Sequence, residues 1–261
     1  MPSDAKSIFR YATADRGLGG CYVRIAKLIG RLSVFVCVLA GLAAGVVAYF
    51  GIDDGKPSVC FGGVVGGHLA NGKRLPLSGP NFSAYHIAGY LTGRTFMHGL
   101  ARDAVVDAYK ALQQSAPEQR YVYAEAGWPF GGPFPPHRSH SNGTSVDFMV
   151  PLRSDRGAMV QVPASVFNKL GYNAKFDDEG RGANGLRIDF EAIAQHLLAL
   201  DKAARGRGIK INRVIFEPSL QRHLFAAASG QALPQRVTFM DRAAWVRHDQ
   251  HYHVDFAIPC K

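Results

Sequence analysis

Several motifs that would assign a chemistry at once are missing from this chain. It has no H-E-x-x-H, so no helix places two histidines and a glutamate base around a zinc ion, and no G-x-S-x-G, so no nucleophile elbow. The glycine-rich G-G-V-V-G-G at 62–67 has no G-K-S/T after it and is therefore no phosphate loop. Ser3-Asp4-Ala5-Lys6 fits the S-x-x-K of penicillin-binding serine enzymes, but no K-T-G follows and it falls in an aperiodic N-terminal tail. With only four cysteines, there is neither zinc-finger spacing nor a dense disulfide framework. Basic residues exceed acidic ones by 30 to 20 but form no run, and no recognition helix or aromatic-basic RNA motif accompanies them. Nucleic acid is excluded as the partner on that ground, and an anionic envelope polymer is the better counter-charge.

One long hydrophobic run is present. Leu32 to Ile52 is 21 residues without a charge, enough to cross a bilayer core as a helix. Lys6, Arg10, Arg16, Arg24, Lys27 and Arg31 precede it against Asp4 and Asp15, and this bias holds that end in the cytoplasm. A cleaved signal peptide is the rival reading, but its apolar region would be shorter and no clean A-x-A site follows. Gly41 and Gly45 form a G-x-x-x-G that permits helix pairing, a spacing common by chance. The expected organisation is a cytoplasmic tail at 1–31, a transmembrane anchor at 32–52, a linker at 53–66 and one folded domain at 67–261. Of the cysteines, only Cys60 and Cys260 then reach the outer compartment. They bracket the domain, and an oxidising space favours their pairing.

Within the domain, periodicity predicts a helix over 101–116 with Val105, Ala108, Tyr109 and Leu112 on its apolar face, and a strand at 121–124. A proline- and glycine-rich stretch at 127–136 follows, stiff enough to wall a cleft; its Trp128, Phe130 and Phe134 serve equally well as packing or as substrate contacts. Residues 151–186 read as a surface excursion. A helix capped by Asp189 should run to about Ala204 with Ile193, His196, Leu197 and Leu200 on one face, then a strand at 209–216, a helix from Pro218 to about Ala228, and a last strand at 245–258. Antiparallel-looking strands beside helices argue α+β, a small antiparallel sheet with flanking helices after one N-terminal transmembrane helix.

Five of the ten histidines fall in two short clusters, H-R-S-H-S-N-G-T-S-V-D at 137–147 and H-D-Q-H-Y-H at 248–253. A turn through Ser141-Asn142-Gly143 can bring His140 near Asp147, which should leave one face of a strand while Val146 and Phe148 enter the core. On the second strand His251, His253 and Asp255 share a face, the two histidines roughly 6.5 Å apart along it. His140, Asp147 and His253 would make a three-ligand zinc site with one position open, the arrangement of a catalytic zinc. The other histidine of the pair, His251, is left to reach substrate, and Asp255 could accept a hydrogen bond from a ligand.

The pattern H-x(6)-D followed far downstream by H-x-H resembles the lysostaphin, D-Ala-D-Ala metallopeptidase and hedgehog superfamily of zinc proteins. Three stretches in order are similar to the penicillin-insensitive murein endopeptidases: G-H-L-A-N-G-K-R-L-P at 67–76, the segment 127–147, and W-V-R-H-D-Q-H-Y-H-V at 245–254. The resemblance implies zinc held by His140, Asp147 and His253, a catalytic His251, and accessory roles for His137 and His248. It implies cleavage of peptidoglycan cross-links at the D-alanyl–diaminopimelyl bond, in the periplasm of a bacterial cell whose inner membrane holds the anchor. A carboxypeptidase acting on single stem peptides, or a non-catalytic zinc-containing binding module, are the alternatives. Relatives can bind a second metal through the counterpart of His137; its further ligands do not align here, and Asp177 and Asp178 are only candidates.

Overall fold

The computed structural model describes residues 18–50, 55–161, 169 and 171–261. Most of the expected tail, the last two residues of the apolar run and the acidic pair Asp53-Asp54 lie outside these. The chain divides into two compact units, Met1–Val46 and Val47–Lys261. The first contains most of α1, Leu18–Phe50, in which Arg24–Leu42 is long and apolar enough to cross a membrane. Membrane spans and signal sequences share that property.

In the second unit the chain runs through β1 (Val59–Phe61), β2 (His68–Ala70), β3 (Lys73–Arg74), β4 (Phe82–Ala84), α2 (Ile87–Leu91), β5 (Phe96–Met97) and α3 (Gly99–Ser115). It continues with β6 (Tyr121–Tyr123), β7 (Ser145–Met149), β8 (Leu152–Arg153), β9 (Met159–Val160), β10 (Arg187–Ile188) and α4 (Phe190–Gly206). β11 (Lys210–Ile215), α5 (Pro218–Ala226), α6 (Leu233–Arg236) and β12 (His251–Ala257) complete it. β1 lies within the stretch expected as a glycine-rich connector, and it pairs with β2.

Five strands form the central sheet in the order β11-β12-β7-β6-β4. The expectation of an antiparallel sheet is corrected at one edge: β4 and β6 pair in parallel. Their connection passes through α3, and such a crossover is what parallel neighbours require. The sequence-predicted helices hold with small shifts at their ends. α3 buries Val105, Ala108, Tyr109 and Leu112, and α4 starts after Asp189, whose side chain accepts from the Ala192 N–H. The short helix α2 has no periodicity to announce it, being five residues long. Likewise 245–250 is not strand; β12 begins only at His251.

Alternation on the two central strands divides the sheet into two chemically distinct faces. Val146, Phe148, Tyr252, Val254 and Phe256 join α3 and α4 in the hydrophobic core. Asp147, His251, His253 and Asp255 occupy the other face, and loops cover them so fully that each is 5 % exposed or less. Phe148, buried against Tyr109, His196 and Tyr252, is the hinge of this arrangement; Phe148→Ala would cost about 3–5 kcal/mol by cavity formation. The disulfide Cys60–Cys260 ties β1 to the residues after β12, beside backbone hydrogen bonds between the same segments.

Candidate metal centre

Asp147 stands at the middle of the site. β7 and β12 pair so that Asp147 opposes His253 and Met149 opposes His251. The Nδ1 atom of His253 is 2.8 Å from Asp147 Oδ1, and its Nε2 is 2.7 Å from Asp255 Oδ1. Asp255 is anchored in turn by Ser145 Oγ and the Arg213 guanidinium. One imidazole nitrogen faces inward while a carboxylate fixes the other, the usual construction around a metal-binding histidine.

His140 arrives from the loop before β7. Its backbone has φ 73°, a left-handed conformation uncommon outside glycine, and its Nδ1 donates to the Ala126 carbonyl at 2.9 Å. That fixes Nε2 as the lone-pair nitrogen, 3.4 Å from Asp147 Oδ1, buried and without a hydrogen-bond partner among the described residues. The predicted turn is present: Asn142 Oδ1 accepts from the Thr144 N–H and hydroxyl. Gly143 has φ 75°, and a Cβ there would lie 2.6 Å from a Leu69 methyl and 3.1 Å from the His98 backbone nitrogen, so a side chain would be both strained and crowded.

His137, His140 and Asp147 each offer a ligand atom, and these atoms lie within 4.8 Å of one another, a group that could bind a metal ion. His137 is built as His253 is: one nitrogen meets the buried carboxylate of Glu125, and the other is 3.7 Å from Asp147 Oδ2. His253 adjoins the group through Asp147, its ring centroid 4.7 Å from that of His140. His251 Nε2 is 3.8 Å from Asp147 Oδ2, its Nδ1 has no hydrogen-bond partner among the described residues, and the His248 ring centroid lies 4.5 Å from its own. His137, His140, His251 and His253 thus surround Asp147, and His248 packs against His251. Asp177 and Asp178 do not join them: Asp177 accepts from the backbone N–H groups of Glu179 and Arg181, and Asp178 from Ser219 and Arg247.

Charge supplies the fit test for a cation. Burial opposes the charges on Asp147, yet the surrounding imidazoles outweigh it and hold the carboxyl well below its usual range. Burial likewise disfavours a charged His253, but Asp255 and Asp147 overcome this and raise its pKa to about 10. The polypeptide alone thus keeps a proton where two buried carboxylates require positive charge, a proton that a bound metal would displace. Burial lowers His140 and brings His251 down to about 3, leaving both imidazoles neutral. Neutral nitrogens, an ionised carboxylate and an orphaned lone pair are the donor set that a divalent metal takes.

Glu125, Arg94 and Tyr172 were not anticipated from the sequence. The Glu125 carboxylate accepts from Arg94, His137 and the Tyr85 hydroxyl; burial opposes its charge, but the bonds from His137 and Arg94 prevail and lower it to about 2. An acid inside the apolar run Y-V-Y-A-E-A-G-W was the available signal. Tyr172 donates to Asp147 Oδ2 at 3.1 Å and sets its ring against His251, from a segment with no periodicity to place it.

An open cleft of about 760 Å³ fronts the cluster, lined by His137, His248, His251 and His253. Pro135 and Pro136 contribute to its wall, as expected of the stiff loop. The aromatics of that loop divide: Phe134 is buried beneath His137 and His140, Trp128 packs on Phe134 and donates to the Pro133 carbonyl, and Phe130 is exposed.

A mixed α+β domain that gathers histidines and a carboxylate at the floor of an open cleft defines a candidate metal-centre protein. The family model of the penicillin-insensitive murein endopeptidases matches residues 60–261, and the chain belongs to that family. Membership implies a hydrolytic enzyme with peptidoglycan as its substrate class. Comparison with the curated proteins finds no match.

Proposed function

We propose that the chain is a zinc-dependent endopeptidase that cuts peptidoglycan cross-links at the D-alanyl–diaminopimelyl bond, a member of the lysostaphin, D-Ala-D-Ala metallopeptidase and hedgehog zinc superfamily. The observation that supports the reading is that His140 Nε2 and His253 Nδ1 both approach Asp147 Oδ1, at 3.4 and 2.8 Å, within the family-matched region. Those three residues hold the metal. His137 and His248 are accessory, one beside the ligands and one against His251. Zinc so bound supplies Lewis-acid activation of the scissile carbonyl and of the attacking water.

His251 is the general base. Its ring is fixed against Tyr172 and His248, and burial leaves the imidazole neutral, so that a ring nitrogen keeps its lone pair. A proton taken from water can then pass to the departing amine. Asp255 orients His253, and Tyr172, kept a neutral phenol by burial, holds the second oxygen of Asp147. The domain at 67–261 works in the periplasm, the linker and anchor at 53–66 and 32–52 tie it to the inner membrane, and 1–31 remains cytoplasmic.

Incubating the full-length chain, zinc-loaded in detergent, with purified muropeptide dimers and weighing the products tests this reading. Monomers are expected. Loss of a terminal D-alanine alone would make it a carboxypeptidase, and unchanged dimers would make it a binding module.

A further inference from the structure

Resting on the reading above, we propose that Arg138 is a specificity-determining residue that binds the carboxylate next to the scissile amide. Five cationic side chains line the cleft: Arg94, Arg138, Lys169, Arg213 and Arg247. Arg94 is committed to Glu125, Arg213 to Asp255, and Arg247 to Asp178 and Asp249. Among the described residues no carboxylate lies within the 4.0 Å of an ion pair from Arg138 or Lys169. Arg138 alone of these two is held in place: its guanidinium lies 4.9 Å from the centroid of the Trp245 ring. Stacking on an aromatic face restrains the plane of the group and leaves its N–H edges available.

The position matches the substrate chemistry. Arg138 sits between His137 and His140 in the chain, and Trp245 is three residues before His248, so the stacked pair joins the loops that carry the two histidine clusters. In a D-alanyl–diaminopimelyl cross-link the amide nitrogen is borne by a carbon that also carries a free carboxylate. A substrate whose scissile bond lies over the metal ligands therefore brings an anion within one residue's reach of it. A planar fork of N–H donors accepts a carboxylate in bidentate fashion. Bound alike in ground and transition states, that contact sets KM more than kcat.

The test uses the full-length zinc-loaded chain and two muropeptide dimers, one with that carboxylate free and one with it amidated. The wild type should favour the free acid, and Arg138→Ala should raise KM on it by about 10–100-fold, the value of a charge-assisted hydrogen bond, with kcat altered much less. The variant should no longer distinguish acid from amide. Lys169→Ala should keep the discrimination. Retained discrimination in Arg138→Ala, its loss in Lys169→Ala, or equal use of both dimers by the wild type would overturn the assignment. If the wild type cleaves neither dimer, the endopeptidase reading fails separately. Calorimetric binding of the same dimers then decides for Arg138: acid-over-amide preference abolished by Arg138→Ala supports it, and any other pattern rejects it.

Discussion

Asp147 and His253 are direct partners across β7 and β12, and the His253 imidazole spans the gap between the Asp147 and Asp255 carboxylates. The register of one strand pair thus sets His253 against Asp147. A slip by one residue would turn Asp147 into the core and Val146 or Phe148 toward the cleft.

The first prediction concerns Asp255, which touches the proposed ligand His253 and no other histidine of the cluster. Asp255→Asn removes the charge that fixes His253 Nε2 and leaves Arg213 facing a neutral amide. Zinc affinity, measured by competition with a chelator, should fall about 10–100-fold with the fold intact. Unchanged affinity would show that His253 needs no such support.

A second prediction lies in the core, away from the cluster. His196 is fully buried, its Nδ1 lies 2.8 Å from the Tyr252 hydroxyl, and its pKa is pushed down to about 3 by burial. The unfolded chain takes up its proton near pH ~6.5, so the stability His196 permits at neutral pH is lost as pH falls below that value toward 3. The slope is about 1.4 kcal/mol per pH unit. His196→Gln, which still offers Tyr252 a hydrogen-bond partner, should flatten the decline of the urea midpoint between pH 6.5 and 4.5. Parallel profiles for the two proteins would refute this.

The disulfide is the third. Alkylation of denatured, unreduced protein should find neither Cys60 nor Cys260 free, whereas Cys37 should react. Replacing both partners by Ser should cost on the order of 2–5 kcal/mol, read as a lower melting temperature. Equal melting with and without the bond would mean that the hydrogen bonds between Gly62, Cys60 and Lys261 suffice to hold the ends.

The fourth follows from the basic residues before α1's apolar stretch. A reporter active only in the periplasm, fused to Lys261, should give a signal, and one active only in the cytoplasm should not. The reverse would place the histidine cluster on the cytoplasmic side.

How far the sequence carried each of these points depended on period and locality. β7 and β12 were legible because Val146-Asp147-Phe148 and Tyr252-His253-Val254 alternate strictly, and α3 and α4 because each repeats apolar residues through several turns. The turn at Asn142-Gly143 was legible from residue chemistry alone. The parallel pairing of β4 with β6 was not, since three-residue strands carry too little pattern to set direction. Glu125, Arg94 and Tyr172 escaped because they reach the site from three separate segments, and only the tertiary fold brings those together. His196 was read correctly as a helix-face residue, but its bond to Tyr252 is a long-range contact that no local pattern encodes.

The most direct test of the central claim contrasts His251 with His253, two residues apart on one strand face. Each is replaced by Ala in the full-length chain, and bound zinc and turnover of muropeptide dimers are measured together. His253→Ala should lose zinc. His251→Ala should keep zinc and lose turnover by roughly 10²–10⁴, the usual contribution of a positioned acid–base group. A His251→Ala variant stripped of zinc, beside a His253→Ala variant that retains it, would exchange the two roles and contradict the account.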